Sequence, residues 1–540
     1  MASSQRAWRA ACPNCGAPVE FLSAASASAV CGFCRSTLVR DGESLRKIGT
    51  SAEVFDDFTP LTIGASGSYQ GTGFMLVGRL QFGTDDGPWN EWHALFDNGR
   101  SGWLSEDNGR YVFAFDAPAP ADAPRPEQLQ AGARVTADGR AWSVASVVQA
   151  RLLAAQGELV QPPPADRAIV ISDLRNAADE VATLQASDAA SLAWSVGRSV
   201  RLADLKMSGL REAGIAGAGE KTLKAQSPPC PNCGAPLKIT LATTQSVVCD
   251  SCKSVVDLSQ GIGPDMAHYA QANHMEPGIP LGRSGTLPIP SGAAPLEWQV
   301  VGYLERMELM GGARDEADGT DEAEAWREYL LYNRAEGFAF LVDTNEGWSV
   351  VRVLTGAPEV RGDQATWYGT RYQRRWTYTS ENTYVLGEFY WKVEAHQRTQ
   401  HQDYEGSASG HRAFLSMEHT PGETTWSAGE SIPAEMVART FGLAPQQAAQ
   451  LQRSAGPPAL GSLVGPGRMI SWPMLLVLLL VVILLLAWCS RDPCRDERRA
   501  FGAYSNEYQQ CKARSAAGTG AYYGTGGAWG GYSSGGGGHK

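Results

Sequence analysis

Eight of the eleven cysteines in this 540-residue chain stand in two quartets of one spacing: Cys12, Cys15, Cys31 and Cys34, then Cys230, Cys233, Cys249 and Cys252. Each quartet has the form C-x2-C-x15-C-x2-C. Four thiolates complete a tetrahedron around Zn²⁺, and two residues between paired cysteines let both sulfurs reach one ion. Gly16 and Gly234 follow the first pair of each quartet, where the backbone must turn tightly to aim amides at sulfur. A ribbon this small buries too little to fold alone, so the metal supplies folding free energy. The expectation is two structural Zn²⁺ ions held by cysteine alone. Iron in a rubredoxin-like site and a redox dithiol pair are the alternatives. Closed four-sulfur coordination leaves no position for a catalytic water.

No other constellation points to a reaction. The sequence contains no Gly-rich phosphate loop, nucleophile elbow or H-E-x-x-H motif. His93 lies in a Trp-rich stretch whose counterpart later in the chain carries Arg327. His396, His401 and His411 lie near Asp403 and Glu405, a pattern open to a metal site but read as ordinary polar structure. No catalytic or cofactor-binding residue is assigned, and a non-enzyme is expected. The net charge of -11 argues against a general nucleic-acid binder.

These residues sit in a duplicated frame. CPNCGAPVEFLSAASASAVCGFC recurs as CPNCGAPLKITLATTQSVVCDSC, displaced by 218 residues. Leu76-Val77-Gly78-Arg79-Leu80 matches Val300-Val301-Gly302-Tyr303-Leu304, and the stretch from Trp92 resembles the one from Trp326. Alternating apolar runs separated by Asp-Asn-Gly and Asn-Glu-Gly turns predict antiparallel strands. The fold class expected is mainly β: two copies of a small zinc ribbon plus a β sandwich or open barrel. The acidic run Asp315 to Ala325 reads as a solvated loop, since it lacks calcium-loop spacing.

Met469 to Cys489 reads MISWPMLLVLLLVVILLLAWC, about the 20 residues needed to span a bilayer. Leu475 to Leu486 is wholly Leu, Val or Ile, worth roughly 4 to 7 kcal/mol towards insertion. Arg6 and Arg9 have no apolar run behind them, so no export signal is expected. The location expected is a bacterial inner membrane, single-pass, with the N-terminal domains cytoplasmic, although the arginines after the segment favour the reverse orientation. The organisation reads as ribbon 1 (1–45), β domain 1 (46–205), linker (206–227), ribbon 2 (228–260), β domain 2 (275–440), linker (441–467), transmembrane helix (468–490) and a Gly/Tyr/Ser-rich disordered tail (491–540). Cys489, Cys494 and Cys511 have no assigned role.

The CPNCGAP knuckle, the Val-Gly-x-Leu strand and the W-x-E/W-x-x-x-F/Y hairpin together resemble a bacterial family, domain of unknown function 4178. The resemblance covers roughly 50–200 and 275–440. It implies tandem copies with ribbons and an anchor, and genes encoded near those of polyamine-synthase-like and small membrane proteins. Trp89, Trp92, Trp103, Trp326, Tyr329, Phe338 and Trp348 read first as core. The second reading is an exposed groove for a peptide, glycan or small polyamine-like cation through cation–π contact. The function expected is a membrane-anchored scaffold with protein partners. A zinc or redox sensor, an enzyme without recognisable motif, or a small-cation binder are the alternatives.

Overall fold

A computed structural model describes residues 8–451, less 212–226, 310–324 and fourteen stretches of one to six residues. Among the described residues no helix is long and apolar enough to cross a membrane. The spanning segment, the tail, the acidic run and Cys489, Cys494 and Cys511 all lie outside the described residues, wholly or nearly so.

The first β domain comprises β1 (Thr72–Thr84), β2 (Gly87–Phe96), β3 (Ser101–Asp107), β4 (Arg110–Ala117), β5 (Arg140–Leu159), β6 (Ile169–Arg175), β7 (Glu180–Ala186) and β8 (Ala193–Val200). The second repeats it with β9 (Leu296–Glu308), β10 (Ala325–Asn333), β11 (Gly337–Thr344), β12 (Gly347–Val353), β13 (Thr370–Phe389), β14 (Arg398–Ala408), β15 (His411–His419) and β16 (Thr424–Ile432). Each domain is two four-stranded meanders. The first strands of the two meanders pair (β1 with β5, β9 with β13), and so do the last (β4 with β8, β12 with β16), all antiparallel.

The result is a closed eight-stranded ring in each copy, which corrects the sandwich or open-barrel expectation. The cause is the length of β5 and β13, 20 residues each. β5 pairs β6 through Ser143–Ala150, then β1 through Arg151–Gly157, with bulges on both stretches. A bulge bends the strand, so one strand satisfies the free edges of both meanders.

Leu304, Trp326, Phe340, Val351 and Tyr378, from five strands of the second ring, meet in one interior cluster. Their neighbours Tyr329, Leu341 and Trp348 face outward, under Val437, Phe441 and Leu451. These come from α1 (Ala434–Thr440), the residue after it, and α2 (Pro445–Leu451), so packed structure extends into the stretch read as a linker. In the first ring, Phe82, Trp89, Ala150 and Ile171 pack inside, while Phe74, Trp92 and Phe113 pack outside under Leu61 and Leu205.

The strand register shifts the correspondence between the two repeats. Trp89 and Trp326 are counterparts, opposite Phe82 and Arg306, and Leu330 rather than Arg327 stands where His93 does. Matching Trp92 to Trp326 is wrong by three residues, an odd number, which turns an outward side chain inward.

Candidate metal centres and their supports

The local chain builds each ribbon from two knuckles. In ribbon 1, Gly16 N–H donates to Cys12 O at 2.8 Å and Arg35 N–H to Cys31 O at 2.9 Å. Ribbon 2 repeats both bonds at Gly234 to Cys230 and Lys253 to Cys249. The residue closing each knuckle is left-handed, with φ of 77° at Gly16, 76° at Gly234 and 58° at Arg35 and Lys253. Glycine marked the first knuckle of each pair, but nothing in Arg35 or Lys253 announced the second.

The folding brings all eight cysteines together as two sets. Cys12 and Cys34 sulfurs lie 3.6 Å apart, and Cys15–Cys31, Cys230–Cys252 and Cys233–Cys249 lie 3.7 Å apart. Within each set the four ligand atoms lie within 4.8 Å of one another. A Zn–S bond of about 2.3 Å gives a tetrahedral edge of about 3.8 Å, so four thiolates here fit one such ion. Cys34 carries a thiol pushed down to about 5 by the Ser36 hydroxyl, the Ser36 amide and Asn14. At Cys252 burial opposes ionisation, but Ser254 and Asn232 outweigh it and the value again falls to about 5. Each set therefore offers one ready thiolate for a first metal bond.

Each ribbon is continuous with its barrel. Ser28–Val30 pairs with Gly157–Leu159 at the end of β5, and Ser246–Val247 with Glu388–Phe389 at the end of β13. The strand passes from barrel to ribbon at Gly157 (φ 74°) and Gly387 (φ 88°). A Cβ there would lie 2.3 Å from Val77 O and 2.2 Å from Val301 O, so only glycine fits. The next residue is a buried glutamate in both copies. Glu158 accepts the amides of Leu22 at 2.7 Å and Ser23 at 2.9 Å. Glu388 accepts the amides of Thr240 and Leu241 at 2.9 Å and the hydroxyls of Thr240 and Thr244. Sequence reading passed over this Gly-Glu pair, although AQGELV and VLGEFY repeat it.

Charged groups also fill the barrel interiors. Trp89 Nε1 donates to Glu91 at 3.2 Å, and Trp326 Nε1 to Glu328 at 2.8 Å. Thr183 donates to Asp173 at 2.8 Å, and its counterpart Ser416 to Asp403 at 2.6 Å. The second barrel adds Arg306, 3.5 Å from both Glu328 and Glu418. Burial raises Glu418 to about 8, against the pull of Arg306 and helped by Glu328 and Asp403. His401 stacks on Tyr378 at 4.7 Å, with Nε2 2.7 Å from Ser380 Oγ. Burial, helped by Arg306, holds it well below the usual histidine value.

His396, His401, Asp403 and Glu405 do not converge, and the side chain of His411 lies outside the described residues. His396 is exposed and bonds Glu381, His401 and Asp403 are interior, and Glu405 pairs with Arg375 and Arg412 at the surface. His93 is a buried structural group between Glu158 O and Ser101 Oγ. Trp89, Trp92, Trp326, Tyr329 and Trp348 are all buried, so these aromatics build cores and form no exposed groove. Half-buried Trp103 donates to Asp116, and Phe338 packs on Tyr390 at 4.2 Å. Between the barrels a cleft of about 510 Å³ is lined by Tyr111, Trp367, Tyr372 and Tyr390, with Arg352 paired to Glu336 at 3.1 Å.

The family model described as Domain of unknown function (DUF4178) matches residues 62–202 and 296–434, one match on each barrel. No curated protein and no solved structure matches the chain.

Proposed function

The chain belongs to the DUF4178 family, and from that premise we propose that it is a zinc-stabilised, membrane-anchored scaffold rather than an enzyme. The observation that carries this reading is the attachment of each four-cysteine ribbon to its barrel through a shared strand and a buried glutamate. Such attachment fixes the metal sites as rigid, closed parts of a presenting surface. The sulfur geometry supports two structural zinc ions, one per quartet. The anchor rests on the aliphatic run Met469–Cys489, and the proposed location is a bacterial inner membrane with residues 1–467 in the cytoplasm. The barrel interiors are filled by side chains that bond one another, an arrangement suited to holding shape. Cross-linking in native membranes followed by partner identification tests the scaffold. Recovery of a stable protein partner supports it, and turnover of a small molecule by the purified chain overturns it.

One observation favours a second reading, a zinc or redox sensor. Each quartet has one exposed cysteine, Cys15 or Cys233, open to an oxidant. Reversible zinc loss under mild peroxide would favour that reading.

A further inference from the structure

The two ribbons share a fold and differ at their tips. Ribbon 1 places Gly32 and Phe33 between the ligands of its second knuckle, and Phe33 is 77% exposed. Ribbon 2 has exposed Asp250 and Ser251 in those places. The last strand of ribbon 1, Ser44–Thr50, runs past the boundary expected at residue 45, and of the seven large hydrophobic side chains exposed among the described residues Phe33 and Ile48 belong to this ribbon and none to ribbon 2. Both ribbons keep the same knuckle bonds, so the two tips present different side chains on the same turn.

The charge around the tip differs in the same sense. Arg35 follows the knuckle and is exposed. Lys47, also exposed, reaches across the ribbon to Asn14 of the first knuckle at 3.1 Å. Arg46 and Ile48 flank it, both exposed. Lys47 stands opposite Leu38, and opposite the equivalent Val256 ribbon 2 carries His268. The position after the knuckle is cationic in both ribbons, Arg35 and Lys253, so the tips differ in Phe33 and Lys47 of ribbon 1 against Ser251 and His268 of ribbon 2, with the added carboxylate of Asp250.

We propose that the tip of ribbon 1, Phe33 with Arg35 and Lys47, docks on an anionic lipid surface, and that ribbon 2 does not. An aromatic ring at a protruding tip gains by entering the interfacial layer, and flanking cations gain by nearing anionic headgroups. The site requires no anchor. If the anchor holds, it raises the local concentration of lipid around the tip. The chain's overall charge of -11 works against general adhesion to an anionic surface, so docking must be local to this tip.

The test is hydrogen exchange of the full chain with phosphatidylcholine vesicles and with vesicles containing about one third phosphatidylglycerol. On anionic vesicles, amides 31–36 are expected to exchange about tenfold more slowly, the effect of burying one phenyl ring, while amides 249–254 are unchanged. Phe33→Ser, which copies ribbon 2, and Lys47→Glu should each remove the protection, as should added salt. Flotation with phosphatidylcholine alone reports the anchor separately. No slowing on anionic vesicles, equal slowing of both ribbons, or slowing that survives Phe33→Ser overturns the proposal. Slowing seen only in native membranes, and not on pure lipid, assigns the tip to a protein partner and overturns it as well.

Discussion

Glu158→Ala should release ribbon 1 from its barrel and leave ribbon 2 in place. Glu158 is 3% exposed and accepts two backbone amides of the ribbon, at 2.7 and 2.9 Å. A hydrogen bond to a charged acceptor is worth about 1.5 to 3 kcal/mol, and alanine leaves both amides buried without an acceptor. The lower figure for two bonds gives about 3 kcal/mol, or roughly a 150-fold rise in the population of the opened ribbon. Native-state hydrogen exchange reads this directly at amides 22–30, where the shared strand holds the ribbon. Ribbon 2, clamped by Glu388, is the control within the same molecule. Transfer of zinc from the first quartet to a chromogenic chelator should accelerate in parallel, since a detached ribbon exposes its ligands. A rise of less than about threefold at amides 22–30, or the same rise in ribbon 2, would refute the clamp.

Elemental analysis should find two zinc ions per chain, and Cys12→Ser should lower that to one; one or none in the parent chain sinks the assignment. Glu328→Ala should cost about 3 to 5 kcal/mol in denaturant titration, because it strands buried Arg306 beside a Glu418 that prefers to be neutral. Stability should fall as pH rises from about 4.5 through about 8. Glu418 holds its proton to about 8 in the fold but loses it near 4.5 when unfolded, so the contribution is complete below 4.5 and lost above 8. Glu418→Gln should flatten that fall in thermal melts, and an unchanged slope would show that another group is responsible. Gly387→Ala should destabilise the second repeat by about 2 kcal/mol or more, since the new methyl group meets Val301 O and φ is 88°.

The quartets, the duplication and the antiparallel strands were legible because each is local: a spacing, a repeat, an alternation. Closure of the rings was not, because it depends on β1 finding β5 and β9 finding β13 across long separations. Composition also misleads inside the barrels. Glu91, Asp173, Glu328 and Asp403 occupy inward positions that alternation reserves for apolar side chains, and each is sustained by a partner contributed by its own or a neighbouring strand. The glutamates at 158 and 388 look like surface residues beside a glycine, and only the ribbon folded over them reveals the clamp. The polar stretch from His396 to His411 looks like a cluster in one dimension, but His396 precedes β14 and bonds Glu381, and along β14 His401 and Asp403 are buried while Glu405 reaches Arg375 and Arg412 at the surface.

The strand that ribbon 1 shares with its barrel also sets a clock. The last cysteine of the quartet is residue 34, yet residues 28–30 pair with 157–159, some 127 residues further on. At about 5 to 20 residues per second, synthesis leaves roughly 6 to 25 s between a ribbon able to take metal and the arrival of its neighbouring strand. Throughout that interval the ribbon is a small hairpin with a bare edge, open to pairing with another chain. If the quartet takes zinc as proposed, the first repeat has to survive on that metal before it can rest on its barrel, and zinc scarcity during translation would strike it at its weakest moment.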